Sequence, residues 1–433
     1  MFINLKTSLE KSEYRIHIVG AGVSGLIAAR VLEQNGYAPI LLEATPTIGG
    51  RLKTDSYQGL PLDYGFQVVL SAYPMVQKYL DLEALEPCYF DSGAVIHIDG
   101  RVTRIGDPLR NPYLFFPTLF NNVATLADKI KIFGLQRALK RKSIEDIFET
   151  PEQTTLQYLQ GKGFSGKVIR QFFLPFFSGI FLEHELKTSS RMFEFVYKMF
   201  GEGKAFIPKK GIGAIPTYLK NGLKETKICL NTQVTLVKDN HITLRDGSKL
   251  NSHFTIIATD PNRLVANLRN QKIAWKRCDT LYFKVSKLNS TNKLIRLVAD
   301  KDALVNNVVL VSNLLGGPTK DEVISVTIVK PHTYSKKRLI EKVSEELQQL
   351  FQFESLDFIE HFAVNKALPD ISNLKNDLTP EETRLTTRIF LAGDTLLNGS
   401  LNAAMLSGER AAQGVIHLLE ESPDLAQFTS EYL

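Results

Sequence analysis

An α/β fold on a parallel sheet, with a second α+β domain interleaved along the same chain, follows from three observations. Residues 15–51 read RIHIVGAGVSGLIAARVLEQNGYAPILLEATPTIGGR, a strand, a glycine turn, a helix, a second strand and an acid. Near the far end, Arg388–Asp394 (RIFLAGD) is another short strand running into glycine, followed by a helical pattern. Between the two lie long stretches whose helical and alternating patterns belong to neither.

The elements justify themselves in order. Arg15–Val19 is the short β-branched run of a strand covered on both faces. Gly20-Ala21-Gly22-Val23-Ser24-Gly25 turns the chain into a helix reaching about Gln34, and Pro39–Leu42 is a second strand that ends at Glu43. This is the spacing of a dinucleotide site. Gly20 permits the sharp turn, Gly22 has no Cβ to block a pyrophosphate, and Gly25 lets helix and strand approach. The N–H groups at Val23 and Ser24 and the helix dipole attract the diphosphate. Glu43 suits ribose hydroxyls and would repel a 2′-phosphate.

The following residues narrow the dinucleotide. Ala44 leads to Gly49-Gly50-Arg51-Leu52, then to Leu62-Asp63-Tyr64-Gly65-Phe66-Gln67. The tract LLEATPTIGGRLKT…G…LDYGF resembles the signature of the flavin amine oxidase and phytoene desaturase superfamily. The resemblance implies FAD on a Rossmann-like, glutathione-reductase-type domain. It lays Gly49, Gly50 and Arg51 along the diphosphate and runs Gly65, Phe66 and Gln67 beside the isoalloxazine. Gly393 and Asp394 would contact the ribityl chain. Leu401, Asn402 and Ala403 would open a helix aimed at the flavin, where a positive dipole end stabilises an anionic ring. Val234 would pack on the adenine, and Thr259 ends a strand returning to the pyrophosphate. The similarity covers the FAD-binding parts well and the intervening segments poorly.

Size and charge bound the rest. At 433 residues, 44% hydrophobic and 23% charged, the composition is that of an ordinary globular chain of two or three domains. A net charge of +6 is too mild for a nucleic-acid footprint. No apolar run reaches the ~18–20 residues of a bilayer span. The opening MFINLKTSLEKSEY is too polar for a signal peptide. Cys88, Cys229 and Cys278 are unclustered and suit a reducing cytoplasm.

The cofactor motifs at opposite ends require a domain assembled from separate pieces. Residues 1–90, 205–265 and 385–425 are assigned to the FAD-binding domain, and 91–204 with 266–384 to the substrate domain. KICLN, QVTLVKDN and HITLRDG read as a β meander, and Asp99-Gly100 as a hairpin turn. The second insert predicts strands near Leu281–Val285, Val305–Ser312 and Val323–Val329, then a helix over Lys336–Phe351.

Between Phe172 and Phe206 phenylalanines crowd together (QFFLPFFSGIFL, RMFEFVYKMF, AFIP). Two helices need apolar faces, so core is one reading. An apolar tunnel to the flavin, with Phe176 and Phe177 in its wall, is the other. The resemblance supports the tunnel, since the desaturase branch has similar aromatics near Ser189-Ser190-Arg191 and Lys210–Pro216. Upstream, Tyr113–Phe120 (YLFFPTLF) is apolar, and Val123, Leu126, Ile130 and Phe133 recur at helical spacing among Lys and Arg. Segment 113–142 therefore suits a peripheral membrane contact.

The chemistry implied is hydride removal onto FAD, with oxygen or a quinone as final electron acceptor and no dedicated acid or base. Amine-oxidising relatives carry a lysine on a substrate-domain strand and an aromatic cage. Here Tyr282 falls near the lysine position, with Lys284 two residues on, and Ser400 replaces a cage aromatic. These departures favour a lipophilic substrate, a carotenoid-like isoprenoid or a porphyrinogen. An amine oxidase is the alternative enzyme, and a non-catalytic prenyl carrier the alternative of another class. His184-Glu185 sits on a helical pattern but lacks a second histidine at i+4, so no metal pair forms.

Overall fold

The computed structural model describes residues 9–106, 123–286, 292–316 and 321–421. Part of the apolar stretch predicted to touch membrane, residues 113–122, lies outside them.

A five-stranded sheet runs in the order Lys227–Cys229, Ile40–Leu42, Ile16–Val19, Phe254–Ile257, Ile389–Leu391, and every pairing is parallel. All four residues of Ile16–Val19 are buried, as a doubly covered strand requires. The two faces are divided by side-chain alternation. Ile16, Ile18, Leu41 and Ile256 pack beneath the helices Val23–Gln34 and Leu401–Glu421. Val19, Leu42 and Ile257 pack beneath a meander of Val234–Lys238, His241–Leu244 and Lys249–Asn251. One expectation is corrected here: KIC is no part of the meander. It pairs in parallel outside Ile40–Leu42, because Lys227 N bonds Pro39 O and draws it onto the sheet edge.

The second sheet has seven strands, in the order Leu356–Asp370, Ala274–Ser286, Asp321–Ile328, Asn307–Leu310, Ile295–Val298, Gly93–Ile98, Arg101–Gly106. The first insert thus supplies a hairpin to the sheet of the second. Its turn residues Asp99 and Gly100 have φ of 48° and 69°, the paired positive values of a two-residue hairpin. Helix Lys336–Phe351 covers this sheet with Leu339, Val343 and Leu347. Two expectations differ. The strand predicted over Val305–Ser312 stops at Leu310, and Val311–Leu314 is a helical turn. The 15-residue strand Leu356–Asp370 has no counterpart in the sequence reading. It pairs on one side only and alternates poorly, so its polar residues mask the period of two.

The rest of the first insert is helical. Phe173, Phe177, Phe181, Phe193, Phe195 and Phe206 are at most 1% exposed, and the first four interlock ring against ring. Most of the phenylalanine cluster is therefore core. His184 and Glu185 lie in a bend after helix Leu174–Phe181, not in a helix. Among the described residues no helix is long and apolar enough to cross a membrane.

Candidate cofactor and active site

The site begins where Ile16–Val19 ends. Gly20 has φ +107°, and an added Cβ would come within 2.9 Å of Ala258 O. A Cβ on Gly25 would lie 2.0 Å from Gly20 O, whereas one on Gly22 would meet nothing within 4 Å. Gly22 is the N-cap of the first helix and makes no side-chain cap bond. Its neighbours' N–H groups are thus left to something outside the helix.

Glu43 is held rigidly. Its Oε2 accepts from Ala21 N at 2.8 Å, and its Oε1 accepts from Thr45 N at 2.9 Å and Thr45 Oγ1 at 2.8 Å. Thr45, not anticipated from the sequence, is what aims the acid. Gly49 N donates to Ala21 O at 2.8 Å, and Gly22 and Gly49 form a bridge. The two glycine turns therefore lie side by side.

The far end of the chain closes on them. After Ile389–Leu391, Gly393 turns with φ +145°, and Gly393 N donates to Ser407 Oγ at 2.9 Å. The buried Asp394 carboxylate pairs with Arg51 Nη2 across 343 residues of sequence. Arg51 also lies 5.2 Å from the Trp275 ring, and Lys366 Nζ 5.4 Å from the same ring. Trp275 and Lys366 were missed in the sequence. The only signal was that Trp275 is the single tryptophan. Ser400 Oγ caps the last helix by accepting from Ala403 N at 3.0 Å. Gly408 then lies against Ser24, where an added Cβ would sit 2.2 Å from Ser24 O.

These parts enclose a cavity of about 1160 Å³. Single ligands occupy roughly 300–1,000 Å³, so the volume accommodates a dinucleotide and a substrate together. Its wall contains Gly20, Gly22, Val23, Ser24, Glu43, Gly49, Gly50, Arg51, Leu52, Gly65, Phe66, Gln67, Thr259, Gly393, Asp394, Ser400 and Leu401. Several expected residues stand back from it. Gly25 is packed behind the turn, and Ala44 faces solvent. Asn402 Oδ1 accepts from Met75 N at 3.0 Å, Ala403 is fully buried in its helix, and Val234 belongs to the meander core.

The substrate-pocket candidates divide. Ser400 lines the cavity. Phe176 and Phe177 do not, because they pack into the helical core while Phe181 and Phe200 take the wall positions. Tyr282 is a buried residue of the sheet itself, its hydroxyl donating to Asp63 O at 3.0 Å. Lys284 pairs with Asp321 at 2.9 Å. The lysine of this strand that does reach the cavity is Lys276, whose Nζ donates to Thr188 Oγ1 at 3.0 Å.

Electrostatics argue against covalent chemistry. Burial, then the Asp279 charge, pushes the Cys278 thiol up to about 12, so it stays protonated and unreactive. Burial pushes Asp63 up to about 6, against hydrogen bonds from Thr54 Oγ1 (2.5 Å) and Ile212 N (2.9 Å). Asp63 thereby ties the Gly211 loop under the Tyr64-Gly65 segment. Among the described residues no cluster of His, Cys, Asp or Glu suits a metal ion.

The residues fit FAD on their own geometry: an open Gly22, an uncapped helix start, a braced acid, and an arginine–aspartate pair where the two chain ends meet. Comparison with known proteins agrees. The profile of the flavin containing amine oxidoreductase family matches residues 23–416. Protoporphyrinogen oxidase 2 of Arabidopsis thaliana is 28% identical over 166 residues, 38% of this chain and 32% of the relative. Hydroxysqualene dehydroxylase of Sinorhizobium fredii is 42% identical over 66 residues, 15% of this chain and 16% of the relative. These alignments span a third or less of each curated relative. A putrescine oxidase variant has the same fold, with TM-score 0.70 and 15% identity over 93% of this chain and 99% of its own. The chain belongs to the flavin-containing amine oxidoreductase family and is, in class, an FAD-dependent oxidoreductase.

Proposed function

We propose that the protein dehydrogenates a lipophilic substrate, an isoprenoid or a porphyrinogen, taking a hydride and a proton from it and passing the electrons on to oxygen or a quinone. The observation that carries this reading is the wall of the cavity away from the glycine turns. Ile180, Phe181, Leu182, Met192, Val196 and Phe200 supply apolar area, and Ser400 puts a hydroxyl where amine-oxidising relatives carry a cage aromatic. A neutral substrate is held by area and shape. The names of two relatives, a protoporphyrinogen oxidase and a dehydroxylase of hydroxysqualene, lean the same way.

FAD, when bound, supplies the two-electron acceptor. The chain's own residues bind and shield. The first-helix N–H groups and Arg51 hold the diphosphate, Glu43 takes the ribose, and Asp394 braces Arg51. The apolar wall keeps water from the reacting C–H bond. The loop residues Glu183, His184, Glu185 and Lys187 add a charged rim to the cavity. A substrate with an apolar body and a polar end suits both parts. The three free thiols fit a reducing cytoplasm as its compartment.

One observation favours a second reading. Lys276, on the substrate-domain strand Ala274–Ser286, lines the cavity, close in kind to the lysine of amine-oxidising relatives. Anaerobic mixing of the flavin-loaded protein with isoprenoids, porphyrinogens and amines decides. Bleaching of the oxidised flavin band by the first two classes is expected. Bleaching by amines alone, abolished in Lys276→Met, transfers the assignment to amine oxidation.

A further inference from the structure

Helix Leu126–Arg141 turns the apolar stripe of its sequence away from the protein. Leu126, Ile130 and Phe133, spaced by four and three residues, share one face. They are 66%, 65% and 52% exposed, and they are three of seven exposed large apolar side chains among the described residues. Three on one face make a patch rather than the scattered exposure of ordinary surfaces. Arg137 continues the stripe, with Lys140 and Arg141 to either side, all exposed. The helix carries five basic residues and one acid, Asp128, and that acid is turned inward.

The fold imposes this orientation. Leu135 and Leu139 are buried on the opposite face. Asp128 receives Thr125 Oγ1 at 2.7 Å, Ser165 N at 2.8 Å and Ser165 Oγ at 2.6 Å. At the other end Lys198 Nζ donates to Leu139 O at 3.1 Å and Lys140 O at 3.3 Å, and Lys142 pairs with Glu194 at 2.6 Å. Rotation to bury the stripe would break the contacts to Ser165, Lys198 and Glu194, which lie on other segments.

We infer that this face docks on an anionic lipid bilayer, with Leu126, Ile130 and Phe133 in the headgroup–acyl boundary and the flanking cations on lipid phosphates. Apolar side chains beside the exposed cations Arg137, Lys140 and Arg141 match that surface. The docking stands on the helix alone; only its purpose rests on the lipophilic-substrate reading. Glu194 and Lys198, which hold the docking helix, lie on Ser190–Glu202, whose Met192, Val196 and Phe200 line the cavity. One helix layer thus separates the proposed membrane face from the substrate wall.

The test is flotation of the full-length flavoprotein with phosphatidylcholine vesicles, with and without phosphatidylserine. Flotation with the anionic vesicles at low salt is expected, falling by about tenfold or more in the triple variant Leu126→Asp, Ile130→Asp, Phe133→Asp. Arg137→Gln with Arg141→Gln should weaken it and reduce its salt dependence. All five positions are exposed, so flavin absorbance and melting temperature should match the parent. No flotation with anionic vesicles overturns the inference, as does a triple variant that floats like the parent. Concentration-dependent dimerisation abolished by the triple change, without flotation, also overturns it, in favour of a second copy. Failure to bleach with any lipophilic substrate in detergent, with flotation intact, refutes the substrate reading alone.

Discussion

Gly22 and Gly25 look equivalent in the sequence, but their surroundings differ. Gly22 has φ −73° and ψ 178°, values open to any residue, and faces only the cavity. Gly22→Val should cost the flavin-free protein no more than about 1 kcal/mol, as a poorer N-cap, while overlapping the cofactor. An overlap of about 1–3 kcal/mol weakens FAD by about 5- to 150-fold, read by titration of flavin fluorescence. Gly25→Ala should behave oppositely, lowering the melting temperature with or without FAD, because its Cβ meets backbone at 2.0 Å. Asp63 predicts a pH signature. Its folded pKa of about 6 stands above the ordinary carboxylate value of 3.8. Below about pH 4 it contributes nothing, since both states are protonated. Between about 4 and 6 the unfolded chain ionises first, so stability falls as pH rises. Above 6 a penalty of about 3 kcal/mol persists. Asp63→Asn, which still accepts from Thr54 and Ile212, should flatten that slope in denaturant titrations at pH 4.5 and 7.5 (~4.5 and ~7.5, on either side of the titration). A slope unchanged from the parent would refute the assignment.

At the scale of elements, the contact between the first and last helices decides whether the cradle exists. Gly408→Ala should push Leu401–Glu421 off Ser24, costing about 1–3 kcal/mol and also weakening FAD, since the same helix carries Ser400 and Leu401 to the cavity. Gly414, one turn and a half further on, meets Phe390 instead, so Gly414→Ala should destabilise with little change in affinity. Equal loss of flavin in both variants would show that general instability, not the site, was measured. Elements were legible to different depths for identifiable reasons. The Ile16–Val19 strand read clearly because burial on both faces selects its β-branched residues, and the helix after it because the glycine turn marks its start. Lys336–Phe351 was legible because one face alone is apolar. Leu356–Asp370 was hidden by the polar side of an edge strand. The stripe on Leu126–Arg141 was read correctly as helical, yet periodicity is blind to which way a face points.

For the whole molecule, the cavity that fits FAD exists only where both chain ends are folded together, so cofactor binding and stability should be linked. Free FAD at 100 times its dissociation constant should stabilise the protein by about 2.7 kcal/mol, seen as a higher melting temperature that Gly22→Val forfeits. If FAD raised the melting temperature of Gly22→Val equally, the cradle would lie elsewhere. The residues by themselves specified the cofactor half, because the demands of a diphosphate and a ribose are local: a glycine without Cβ, a helix start and an acid at set spacing leave a compact signature. They also marked Arg51 and Asp394, though not that these would meet each other. The substrate half was decided by packing across the chain. Phe177 and Phe181 belong to one aromatic run, but only the second reaches the cavity. Lys276 rather than Tyr282 faces it, because residues 275–278 of the strand pass the cavity while Tyr282 lies further along, bonded to Asp63 O. Long-range pairing sets which side chain meets the cleft, and no local pattern encodes that pairing.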